Sequence, residues 1–187
     1  LMEQDITDNG QIALTTEDVV VITGGAKGVT AACAIELART VSPTLILVGR
    51  SPAPGPEPDW ARNIVDPAAL KKAILENEFP RQKPKPADLQ AYYQKIVSER
   101  QIKTNMALME SYGSRVAYFS GDIKSPEDVD GIFKSIQKEF SQITAVIHGA
   151  GIVEDKRIVD KQIDQFNGVL DTKVKGLEAF TRSALTD

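Results

Sequence analysis

At 187 residues, 42% of them hydrophobic, the chain is long enough for one α/β domain with a sizeable core and too short for two ordinary ones. A net charge of -4 and a pI near 5.2 leave no basic surface for nucleic acid or an anionic membrane. No apolar run approaches the roughly 20 residues that span a bilayer, and the opening LMEQDITDNG has neither the basic nor the apolar part of a secretion signal, so a cytoplasmic protein is expected. His148 is the only histidine and Cys33 the only cysteine, which excludes an internal disulfide and a histidine/cysteine metal centre. Cys33 reads as a small core residue of the first helix.

Strands and helices alternate along the chain, the pattern of a parallel sheet with helices on both faces. Val19 to Thr23 is an apolar run that reads as strand one, and Gly28 to Thr40 reads as helix one. Thr44 to Val48, opened by Pro43 and closed by Gly49, is strand two. Prolines then cluster after Ser51 and again from Pro80 to Pro86, marking 51–86 as an insertion. Within it Asp66-Pro67 is a cap followed by AALKKAILENEF, which predicts a short amphipathic helix. From Ala87 to Tyr112, Leu89, Tyr92, Ile96, Ile102, Met106 and Met109 recur at helical spacing, with Gly113 as a stop and Glu99, Arg100 and Lys103 as a solvated face.

Strand three is Arg115 to Phe119, and helix four runs from Pro126 to Phe140. Ser125 caps that helix, while Glu127 and Asp128 complement its dipole. Strand four is Thr144 to Ile147, and a last helix runs from about Ile163 to Ala184. Right-handed crossovers place the strands in the order 3-2-1-4, an incomplete Rossmann-type, doubly wound parallel sheet. On this reading residues 1–18 are an upstream linker or the end of a preceding subdomain, and 19–187 form one partial nucleotide-binding domain.

The turn between strand one and helix one, TGGAKGV from Thr23 to Val29, carries the ligand chemistry. Gly24, Gly25 and Gly28 let the main chain approach a pyrophosphate, and the start of the helix supplies unpaired N–H donors and partial positive charge. The Gly24-to-Gly28 spacing fits short-chain dehydrogenases better than GxGxxG, and Thr30 stands where a third glycine usually lets helix and strand pack closely. Strand two ends in Gly49-Arg50-Ser51, where an NAD site carries an acid for the ribose 2′-hydroxyl. Arg50 suits a 2′-phosphate, Ser51 can donate to it and Lys27 adds positive charge, so NADPH is expected; the alternative is a plain surface arginine. Asp122 and Ile123 follow strand three, either as an adenine site or as a turn before helix four. His148, Gly149, Ala150 and Gly151 follow strand four as a small-residue turn against the cofactor, with His148 read as a hydrogen-bonded structural residue.

Taken in order, TGGAKGV, GRS, GDI, HGAGIVED and LDTKVKG resemble the ketoreductase domain of modular polyketide and polyunsaturated fatty acid synthases, a branch of the short-chain dehydrogenases. The resemblance covers Val19 to Asp187. It implies NADPH-dependent reduction of a β-ketoacyl thioester carried on the phosphopantetheine of an acyl carrier protein, within a multidomain synthase. It also implies that Lys173 is the catalytic lysine, since Lys175 falls at the motif's variable position. In the family this lysine lowers the pKa of a proton-donating tyrosine, and a serine steadies the carbonyl oxygen.

Neither the family's tyrosine nor its serine has a match here. Four residues after Tyr92, Tyr93, Tyr112 and Tyr118 stand Ile96, Val97, Val116 and Asp122, so no tyrosine opens a YxxxK or YxxxN motif. The resemblance therefore implies an N-terminal cofactor-binding portion, inactive alone, with strand four as an exposed apolar edge. Val153-Glu154-Asp155 is a variant of the Leu-Asp-Asp of members that deliver a D-configured β-hydroxyl. Two other readings stay open: a different NADP-dependent short-chain enzyme or epimerase, and a non-catalytic NADPH-binding scaffold.

Overall fold

All five side chains of β1 (Val19–Thr23) are buried, as a strand covered on both faces requires. The computed structural model describes residues 14–140 and 142–184; most of the expected upstream linker lies outside them. β1 pairs in parallel with β2 (Thr44–Gly49) on one side and with β4 (Ala145–His148) on the other, and β3 (Val116–Ser120) lies beyond β2. The order β3-β2-β1-β4 is the expected one, and each strand falls within one residue of its sequence-based bounds. Among the described residues β4 has a neighbour on one side only, and Ile147 is 39% exposed.

Alternation along the strands divides the core into two layers. Val19, Val21, Ile46 and Val48 meet α4 (Pro126–Glu139) and α6 (Gly176–Ala184) through Val129, Ile132, Phe133, Ile136 and Phe180. Val20, Ile22, Leu45 and Leu47 meet α1 (Gly28–Thr40) and α3 (Pro86–Ser111) through Ala34, Ala38, Ile102 and Met109. Helix α4 starts as its sequence predicts, with Ser125 Oγ accepting from the Asp128 N–H at 3.2 Å.

The insertion has its own small core. Its helix α2 (Pro67–Glu78) is capped by Asp66, which accepts from the Ala69 N–H at 2.7 Å, and it packs on the first half of α3 through Ala61, Leu70, Ile74 and Ile96. Three expectations change. Arg100 is not on a solvated face: it pairs with Glu57 at 2.5 Å and donates to the carbonyls of Ile64 and Ala61, while Lys103 donates to the Gly55 carbonyl. A loop with no ladder partners needs such donors for its carbonyls. Cys33 is exposed, because Ala31, Ala34 and Ala38 take the sheet-facing positions of α1 and residue 33 falls on the opposite side. The last helix is three pieces: α5 (Ile163–Leu170), a π turn over Asp171–Lys175, and α6. A single π turn has no motif that announces it in a sequence, and it shifts the phase of the side chains that follow.

Candidate functional site

A cleft of about 530 Å³ opens beyond the carboxyl ends of the strands, where the order reverses between β1 and β4. That crevice is the ligand position of open α/β sheets. Ten of the residues singled out in the sequence line it together: Gly24, Lys27, Gly28, Arg50, Ser51, Asp122, Ile123, Gly149, Ala150 and Gly151. Thr23 and Gly25 are buried, and Val29 is exposed on the first turn of α1 without lining the cleft.

Two glycines of the turn adopt left-handed backbone, Gly24 with φ +72° and Gly28 with φ +64°. A Cβ on Gly24 would lie 2.9 Å from the Ala150 backbone, so the two loops touch there through bare main chain. Thr23 Oγ1 ties them further, accepting from the Ala150 N–H at 3.2 Å and bonding His148 Nδ1 at 2.9 Å. His148 is hydrogen-bonded to Thr23 at the end of β4 and does not line the cleft. Burial, aided by the nearby Lys173 ammonium, lowers its pKa, against the backbone of Thr172 and Lys173, which bonds the ring and raises it. Thr30 fits because Gly149 faces it: the threonine side chain occupies the room a Cβ at 149 would need.

At the end of β2 the positive groups converge. Lys27 Nζ donates to Ser51 Oγ at 3.0 Å, and Arg50 is exposed with no ion-pair partner among the described residues. Tyr118, which the sequence reading missed, donates to the Ser51 carbonyl at 2.7 Å and fixes that turn; burial pushes its pKa up to about 12. Ser98 of α3 was also missed, although it shares one helix face with Ile102, Asn105 and Met109. It accepts from Lys27 Nζ at 2.7 Å.

Asp122 lines the cleft and also makes the expected turn, accepting from the Lys124 N–H at 3.0 Å. Ile123 reaches the cleft wall but is only 4% exposed and packs against Gly176. On the opposite flank Lys173 lies in the π turn. Its Cε and Nζ occupy the space beside Gly151, at 2.9 and 3.0 Å from where a Cβ would stand. Lys175 is committed to Asp171 at 2.8 Å, whereas Lys173 has no carboxylate partner among the described residues.

These features fit a dinucleotide: glycines where main chain must approach, helix N–H groups at the turn, cations at one end and a free ammonium at the other. The KR domain family model matches residues 18–186. The chain belongs to the ketoreductase (KR) domain family.

Among the relatives of this ketoreductase, a polyunsaturated fatty acid synthase component from Thraustochytrium sp. is 32% identical over 90% of the chain. Polyketide synthase PksL of Bacillus subtilis is 28% identical over 90% of it. The chain spans 6% and 3% of the lengths of these two proteins. Among solved structures, an N-terminal ketoreductase from the macrolactin assembly line superposes with a TM-score of 0.64 at 22% identity, over 94% of this chain and 27% of that one. That likeness is one of fold. Among the described residues no helix is long and apolar enough to cross a membrane, and no three metal-ligating side chains cluster.

Proposed function

We propose that this ketoreductase chain binds NADPH and serves reduction of a β-ketoacyl thioester, carried by an acyl carrier protein of the same synthase, to the β-hydroxyacyl thioester. The observation that carries the reading is the set Lys27, Arg50 and Ser51 at the end of β2, cations and a hydroxyl where an NAD site places an acid. A bidentate guanidinium is the side chain best matched to a 2′-phosphate. Asp122, Ile123 and the Gly149–Gly151 turn would hold the rest of the dinucleotide, with Gly24 and Gly28 at its pyrophosphate and the buried Thr23 and Gly25 shaping the turn beneath.

NADPH supplies a hydride, and the negative charge that develops on the substrate carbonyl then needs a proton. Lys173 is the group of this chain suited to help. Its unpaired ammonium would lower the pKa of a neighbouring tyrosine and so ready it as proton donor. No tyrosine of the sequence is spaced for that role, so these residues alone are expected to bind cofactor without turnover.

Titration with NADPH and NADH, followed by nicotinamide fluorescence, tests the cofactor. NADPH is expected to bind more tightly, and Arg50→Ala to cost about 1 to 3 kcal/mol of that binding. Equal affinities would overturn the NADPH assignment. Failure of the full-length protein to reduce a β-ketoacyl thioester with NADPH would overturn the reaction.

A further inference from the structure

We infer that Ser98, on the helix against which the insertion packs, is a fourth donor to the cofactor's 2′-phosphate, beside Lys27, Arg50 and Ser51, and makes α3 a determinant of cofactor choice. The inference rests on the NADPH reading above. Lys27 Nζ stands 2.7 Å from Ser98 Oγ and 3.0 Å from Ser51 Oγ, and the two hydroxyls are 3.4 Å apart. An ammonium has three protons and no acceptor, so both serine oxygens accept from it. One hydroxyl proton can bridge the two serines, and both protons can turn to an arriving phosphate oxygen. Among the described residues no carboxylate pairs with Lys27, which leaves a half-buried cation flanked by two further donors and lacking an anion.

The location fits a phosphate on the ribose rather than on the pyrophosphate. Ser51 follows Arg50 at the end of β2, and a side cleft of about 300 Å³ joins Lys27 and Ser51 to Gln94, Lys95 and Ser98 of α3. Glu99 also lines it, with no ion pair to Lys27 or Lys95 among the described residues. Lys95, poised over the Tyr92 ring at 5.8 Å, adds a second cation.

Ser98 is also held in place before any ligand arrives. Ile102 and Met109 on its face of α3 are fully buried, and Asn105 Nδ2 donates to the Ala26 carbonyl of the glycine turn at 2.9 Å. Arg100, two residues on, is anchored to Glu57 of the insertion. The insertion thus braces the part of α3 that extends over the cleft, and Ser98 is presented from a rigid element.

The test compares NADPH and NADH dissociation constants, measured by calorimetry on the full-length protein and on Ser98→Ala, Ser98→Thr and Ser98→Asp. The ratio of the two constants is the readout, because a purely structural role for Ser98 would weaken both cofactors alike. Ser98→Ala should reduce the preference for NADPH roughly tenfold, the factor expected for one hydrogen bond to a charged group. Ser98→Thr should restore it, and Ser98→Asp should abolish it by pairing with Lys27 and repelling the phosphate. A wild type that prefers NADPH while the alanine and aspartate variants keep the same ratio would overturn the role of Ser98 alone. A wild type with no preference would overturn the NADPH reading and this inference with it.

Discussion

At the β2 end of the cleft the polar groups are already bonded to one another: Lys27 to Ser51 and Ser98, and Tyr118 to the Ser51 carbonyl. Around Lys173 they are not. Among the described residues that lysine has no carboxylate partner and β4 has one neighbouring strand. Buried polar groups are as a rule hydrogen-bonded, so the contrast separates an end of the cleft whose polar groups already hold one another from an end where the Lys173 ammonium is unpaired among the described residues.

The contrast breaks most visibly at Lys173. On the role proposed for it, readying a proton donor, Lys173→Ala in the full-length protein should lower kcat by about a hundred- to ten-thousandfold, with a much smaller change in cofactor affinity. Stopped-flow turnover and equilibrium titration separate the two quantities. An equal loss from Lys175→Ala would move the role away from Lys173, against the Lys175–Asp171 pair seen here.

Next in size is Gly24→Ala. A side chain there must tolerate φ +72° and a contact of 2.9 Å with the Ala150 backbone, so about 3 kcal/mol of stability should go. Chemical denaturation measures it, and a loss under about 1 kcal/mol would mean that the two loops do not touch as described.

The smallest effect sharpens the picture at His148. Burial lowers its pKa below the ordinary 6.5, so as pH falls the unfolded chain takes up the proton first. The stability that the neutral, folded imidazole contributes is present above about pH 6.5 and is lost as the pH drops through and below that value. The midpoint of thermal unfolding should therefore fall more between pH 7.5 and 5.5 for the wild type than for His148→Asn. Identical slopes would show that His148 titrates as freely in the folded protein as in the unfolded one.

Much of this fold is legible in the sequence alone. The strand order followed from apolar runs and crossover handedness, because both are local or near-universal constraints. The glycine turn, GRS and HGAG were legible for the same reason: each needs a particular backbone or charge at a strand end. Ser98 and Tyr118 were not, since their roles depend on which residues distant in sequence face them. Arg100 and Lys103 were misjudged because periodicity says which side of a helix is polar, not whether a loop lies across it. The outward position of Cys33 is legible in the sequence, because the phase set by Ala31, Ala34 and Ala38 turns it away from the sheet. The π turn at Lys173 changes the hydrogen-bond register of five residues, and no motif announces that.

Thr30 and Gly149 share one volume, and that restricts the order in which the pair can change. Starting from glycine at both positions, threonine at 30 is admitted at once. Starting from alanine at 149, it is barred until that methyl is removed. Once Thr30 is installed, every side chain at 149 is forbidden in turn, so the exchange works as a ratchet, and the effects of substitutions at the two positions will not add.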